Sequence, residues 1–132
     1  MKLNHDCVRA VLLFLEENLD YVDSIQLDDI ELKKFDDKDV LYSSIKLHEA
    51  GYVSGKLMKT IAVDMVGYIT DITWEGHKFL DTVRDNKVWR ETKTILSKVS
   101  SASISFVSLV ASQVLANLIS QYMGLNPQLN PS

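Results

Sequence analysis

Between Gly51 and Thr73 the chain leaves helical periodicity, runs through two β-like segments and returns to helical periodicity. That switch constrains the fold more than any other feature. Periods of 2 and 3.6 bury different sets of side chains and are not interchangeable. The first segment, YVSGKLMKTIAV, is rich in β-branched and aromatic residues and ends near Asp64. The second is VGYITDIT. Together they predict an antiparallel hairpin within an otherwise helical chain. Gly51 stands where a helix C′ glycine belongs, and Thr73 where a helix N-cap belongs.

Helices are predicted on both sides. Asn4 caps the first, over roughly residues 5–19, with Val8, Val11, Leu12, Leu15 and Leu19 at helical spacing. The acidic stretch DYVDSIQLDDIELKKF is expected to hold a short second helix near residues 27–34. Asp36 or Asp37 caps a third through KDVLYSSIKLHEA. Its inner side is read as Leu41, Ile45 and Ala50, flanked by Val40 and Leu47, which leaves Lys38, Ser43, Lys46 and Glu49 outward. A fourth helix follows Thr73 with Phe79, Leu80 and Val83 inward. A fifth covers VWRETKTILSKV, carrying Val88, Ile95 and Val99, and a sixth covers SASISFVSLVASQVLANLISQYM, ended by Gly124. The predicted class is mainly α within α+β: a winged helix-turn-helix with a β-hairpin wing over residues 1–86, then two C-terminal helices forming an assembly region over 87–124. The proline-containing tail LNPQLNPS, residues 125–132, is expected to be loose. In such a domain the third helix is the one presented to DNA, and the hairpin is the wing.

The chain has 132 residues, one domain's worth, with a formal net charge of −4. General attraction to nucleic acid is not expected from that balance. The charge is unevenly spread. Residues 1–40 carry eleven acids against five bases, residues 41–98 nine bases against seven acids, and residues 99–132 no acid or base. The single cysteine, Cys7, excludes an intrachain disulfide and a cysteine-based zinc cluster. The start, MKLNHDCVR, has no apolar run of the signal-peptide kind, so a reducing cytosol is the expected location.

The segments MKLNHDCVRAVLLFLEEN, KLHEAGYVSG and ITDITWEGHKFLDTVRDNKVW resemble a family of small phage and prophage proteins defined as domain of unknown function number 2513. The resemblance runs from residue 1 to about residue 98, and Thr73-Trp74-Glu75-Gly76-His77 is its most specific element. More loosely, Glu-Ala-Gly before a hairpin and a Leu-Thr-x-x-Gly pattern before a helix are shared with winged-helix proteins, with Ile72 here replacing the leucine. The resemblance implies a bacterial or phage cytosolic protein. It carries over no catalytic residues.

Each candidate site has a plain architectural reading. At the Thr-Trp-Glu-Gly step, the Thr73 hydroxyl caps a helix, Glu75 suits its positive end, Gly76 permits close backbone approach and Trp74 covers the core edge. Read instead as a metal or acid–base pair, Glu75 and His77 are two residues apart and point to different helix faces. His5, Asp6 and Cys7 suggest a nucleophile, but His5 would face elsewhere on the helix and no oriented base is evident. His48, near a helix end, is expected to be a satisfied boundary group. Gly51 and Gly55 lack the pattern of a phosphate loop. No catalytic residue, metal site or cofactor is assigned.

Contacts to DNA or to a protein partner are expected from Lys38, Ser43 and Lys46 on the third helix and from Lys56 and Lys59 on the wing. This set has no Arg, Asn or Gln to read base edges, so DNA binding would be weak and nonspecific. In the last helix, Ile104, Val107, Ala111, Val114, Leu115, Leu118 and Tyr122 form one apolar stripe. This stripe is expected to pair with another copy of the chain in a homo-oligomer. The expected function is non-enzymatic binding in a phage or prophage accessory or regulatory role, with a host or phage protein or DNA as partner, interference with host defence included. The alternative is a small membrane-associated protein anchored by residues 100–123, which Lys87, Arg90, Lys93 and Lys98 would flank.

Overall fold

The computed structural model describes residues 2–61 and 65–124. The chain divides into two compact units, one up to Leu80 and the other from Asp81 onward. The class is α+β and mainly helical, with five α-helices and a three-stranded antiparallel sheet among the described residues. The tail expected at residues 125–132 lies outside the described residues.

In the first unit, α1 spans His5–Asn18. Asn4 is its N-cap, and its side-chain oxygen accepts from the Cys7 amide at 3.1 Å. Cys7, Val8, Val11, Leu12 and Leu15 form the buried stripe. The next segment differs from expectation. No helix forms over residues 27–34. Ile25–Gln26 is a short strand, β1, and Leu27–Asp29 a single 3₁₀ turn. The apolar residues here recur at 25, 27 and 30, and all three are buried. That spacing gives an alternating strand end followed by a turn rather than a helical stripe.

Helix α2 spans Asp37–Glu49. Asp36 occupies the N-cap position without a side-chain capping bond. The C-terminal end is a Schellman motif: the Tyr52 amide donates to the Leu47 carbonyl at 2.9 Å, and the Gly51 amide to His48 at 3.1 Å. Gly51 adopts φ +79°, the left-handed conformation this motif requires. The buried face of α2 is Val40, Ser43, Ser44 and Leu47. Leu41 and Ile45 are only half-buried and Ala50 is exposed, so the face is rotated from the expected one. The physical reason is the close packing of α1 on α2. Small serines let the helices approach, and the Ser44 hydroxyl is satisfied by donating to the Val40 carbonyl at 2.7 Å.

Strands β2 (Val53–Met58) and β3 (Val66–Ile72) form the expected hairpin, with an irregularity between Ser54 and Gly55. β3 is central, in the order β1-β3-β2, and Ile25 pairs with Ile69. Val53, Ile69 and Ile72 point into the core. Helix α3, Trp74–Val83, buries Phe79, Leu80 and Val83. The Phe79 ring lies 5.3 Å, centroid to centroid, from that of Tyr52.

In the second unit, α4 spans Asn86–Leu96 and α5 Ile104–Tyr122, and the two pack together. Asp85 caps α4 by accepting from the Lys87 and Val88 amides. Val88, Trp89 and Thr92 are its buried residues. Ile95 and Val99, the other large apolar residues expected on this helix, are exposed, and Val99 lies beyond the helix end. Ser103 caps α5 by accepting from the Phe106 amide at 3.1 Å. Ile104, Val107, Ala111 and Val114, at spacings of three and four, are buried. The first half of the predicted stripe is thus covered within this chain rather than left for another copy.

Candidate functional site

Helix α2 has two working surfaces. Its inner one, described above, takes up Ser43, which is 1% exposed. Ser43 is therefore removed from the expected partner contacts. Its hydroxyl has no partner in hydrogen-bonding geometry, although it lies close enough to the Cys7 thiol to act on its titration. The other surface borders a groove of about 480 Å³ between α2 and the segment that follows β1. Its apolar lining is Leu27, Ile30, Leu32, Phe35, Val40 and Leu41. Its charged lining is Asp28, Glu31 and Asp37, against Lys33. Leu32, Phe35 and Leu41 are half-buried and hence reachable from solvent. The apolar residues of the acidic stretch are the groove's sequence signal, but a helix over residues 27–34 would not form this wall.

The lysines expected to grip phosphates do not act as one group. Lys38 is in the first turn of α2 and Lys46 in the last, about 12 Å apart along the axis at 1.5 Å per residue. Lys38 is exposed between Asp37 and Asp39. Lys46 pairs with Glu49 at 2.8 Å, and its ammonium also lies 5.4 Å from the Tyr42 ring centre. The hydrogen bond that the Lys46 ammonium donates to the Glu49 carboxylate raises the Lys46 pKa above the ordinary lysine value. Lys56 and Lys59 are exposed on and just after β2.

The Thr-Trp-Glu-Gly step is architectural in three of its four residues. The Thr73 hydroxyl donates to the Gly51 carbonyl at 2.6 Å and accepts from the Gly76 amide at 3.1 Å. The Thr73 amide donates to the Tyr52 carbonyl at 3.0 Å. A methyl on Gly76 would overlap that same carbonyl oxygen, so only glycine permits the approach. Glu75, in the first turn, pairs with Lys78 at 3.7 Å. Trp74 departs from expectation: it is 78% exposed and does not cover the core edge.

The histidines lie on separate elements: His5 on α1, His48 on α2 and His77 on α3. His48 Nε2 is 3.2 Å from the Gly55 carbonyl, which can only accept, so the proton sits on this nitrogen. Burial is the main influence on the Cys7 thiol and pushes its pKa up; the Ser43 hydroxyl partly offsets this and nearby Asp39 reinforces it. A thiol held protonated is a poor nucleophile. Among the described residues no group of three metal-ligating side chains comes together.

On α5 the second half of the stripe is open. Leu115 and Leu118 are half-buried and Tyr122 is 92% exposed. Phe106, Leu109 and Ile119 are also exposed. The helix has 19 residues, and an 18-residue stretch of it has a mean hydropathy of 1.4, long and apolar enough to cross a membrane by those two measures alone.

The chain is 29% identical over 121 residues to an uncharacterized protein of Haemophilus influenzae, an alignment that covers 90% of this chain and 99% of the relative. No solved structure matches it. The model of the family described as "Hypothetical protein (DUF2513)" matches residues 2–103, and the chain belongs to that family.

Proposed function

We propose that this protein is a non-catalytic binding module on a winged-helix frame, and that its partner is a protein. The order of elements supports this frame: a helix, a short strand, a turn, a second helix and a hairpin whose second strand is central. In this reading α2 takes the place of the presented helix and β2–β3 that of the wing. The observation that carries the choice of partner is the groove beside α2, in which the half-buried Leu32, Phe35 and Leu41 lie among the acids Asp28, Glu31 and Asp37. Phosphates would be repelled by Asp28, Glu31 and Asp37, while an apolar protein segment would lose its water there. DNA contact through Lys38, Lys56 and Lys59 remains weak and nonspecific in this account.

The test is a photo-crosslinking amino acid at Leu41 in the full chain, in bacterial cells. A crosslink to a polypeptide that disappears with Glu31→Lys supports the reading. Crosslinks to nucleic acid, or none, refute it. Binding to a random DNA duplex should fall steeply with salt. A footprint at one defined sequence at physiological salt would overturn the DNA part.

Self-association through α5 is part of the proposal and now rests on Leu115, Leu118 and Tyr122 with Phe106, Leu109 and Ile119, since the earlier half of the stripe is occupied. The bacterial cytosol and a phage or prophage accessory or regulatory role complete it, supported by the resemblance and by the bacterial origin of the Haemophilus influenzae relative. One observation favours a second reading, membrane association: the length and apolarity of α5. Fractionation of the untagged protein decides between them.

A further inference from the structure

We infer that the groove beside α2 takes a cationic amphipathic segment of a partner protein: one or two large apolar side chains flanked by Lys or Arg. This rests on the reading of that groove as a protein-binding site and names the chemistry of its partner.

Two independent features select that chemistry. The interior offers apolar surface that solvent reaches. Phe35 and Leu32 stand half-buried on one wall and Leu41 on the other, in a space of the size that encloses ligand side chains. Half-buried aromatic and leucine side chains around a depression are what an apolar anchor displaces water from. The rim supplies the sign. Acids come from both walls, Asp28 and Glu31 from the segment after β1 and Asp37 from the first turn of α2, against Lys33. Residues 27–41 as a whole hold six acids and three bases. A field of that sign speeds the approach of cationic segments and disfavours anionic ones. It also argues against nucleic acid and against the anionic surface of a bilayer as occupants, because both carry the same sign as the rim. An amphipathic segment laid into an apolar groove beside a helix is a recurrent mode of peptide recognition.

The experiment uses the full chain, labelled with nitrogen-15, at physiological salt. Three synthetic probes are titrated in: a peptide of leucines and lysines at helical spacing, its counterpart with glutamate for lysine, and one with alanine for leucine. The expected result is that the leucine–lysine peptide shifts the amides of residues 27–41. Its Kd should rise roughly tenfold with Glu31→Lys and with Leu41→Asp, and the other two peptides should bind at least about tenfold more weakly. Glu31 is exposed, so Glu31→Lys keeps the test valid if Leu41→Asp unfolds the chain. The inference is overturned if those amides do not move, if the glutamate peptide binds equally, or if the alanine–lysine peptide binds equally. Movement of the same amides on raising protein concentration alone would seat a second copy there and overturn it as well. Polypeptide crosslinks from Leu41 without response to the leucine–lysine peptide would remove this partner chemistry and leave the protein-binding reading standing.

Discussion

Gly76→Ala separates two opposed physical effects. Gly76 lies in the first turns of α3, and alanine is favoured over glycine inside a helix by about 1 kcal/mol. On propensity alone the substitution stabilises. The packing gives the opposite sign. The new methyl would overlap the Tyr52 carbonyl oxygen and come within 2.8 Å of Ile72 Cγ2 and 2.9 Å of the Tyr52 carbonyl carbon. Two of these neighbours are backbone and cannot rotate away. Overpacking of this kind costs about 1–3 kcal/mol, and a retreat of Tyr52 also loses its bond from the Thr73 amide, worth about 1 kcal/mol. With the propensity gain subtracted, the expected net loss is about 2 kcal/mol, or on the order of 10 °C in Tm for a unit of this size. Gly51→Ala is the control, because it meets open space and suffers only from φ +79°, which costs about 1–2 kcal/mol. Urea denaturation followed by circular dichroism reads both. A Gly76→Ala chain as stable as wild type, or more so, would refute the close approach of α3 to Tyr52.

Thr73→Ala should lose about 1–2 kcal/mol in the same assay, since the hydroxyl serves both the Gly76 amide and the Gly51 carbonyl, and Thr73→Ser should restore most of it. Ser43→Ala should be neutral or slightly stabilising, because it removes a buried hydroxyl that has no hydrogen-bond partner; a loss above about 1 kcal/mol would mean that the hydroxyl is satisfied. Val114→Asp, whose side chain is buried, should unfold the α4–α5 unit by circular dichroism, whereas exposed Leu109→Lys should leave it folded and lower the mass by light scattering if α5 joins copies. The Cys7 thiol has its pKa raised in the folded chain, so the folded form holds its proton more tightly than the unfolded form does. Its contribution is full below the ordinary thiol range and is lost as pH rises through the raised value. Wild type should therefore lose stability at alkaline pH relative to Cys7→Ala, and a difference independent of pH would contradict this.

The parts of the fold that were legible in the sequence are those set by local chemistry. Asn4, Gly51 and Thr73 each mark a helix boundary through a single backbone requirement, and the β-branched runs between the latter two mark the hairpin. The parts that were not legible depend on what lies opposite. Leu27 and Ile30 read as part of a helix because only the fold shows that Ile25, just before them, pairs with β3 as a strand. Ser43 reads as part of an outward face because it is polar, yet it is inside, beside Ser44, because α1 comes close. Trp74 reads as core because it is large and apolar, yet the bonds of Thr73 and the close approach of Gly76 place the helix start so that the ring projects into water. The α5 stripe was legible, but its partner was not: the same pattern serves a helix of this chain or of another. The groove combines both difficulties, since its walls are two segments whose facing sides only the fold defines.

The bond from Thr73 to Gly51 closes a ring of chain 22 residues apart in sequence, and the whole hairpin lies inside that ring. The strands are therefore tied at their base, independently of whatever joins them at the far end. Closing a loop becomes harder only with the logarithm of its length, by about 0.6 kcal/mol for each doubling. Chain added between Met58 and Val66 would enlarge a ring that is already fastened and leave its clasp untouched. The reach of this hairpin is thus a dimension that natural variation or engineering can change, by grafting a recognition loop there for example, without renegotiating the rest of the domain.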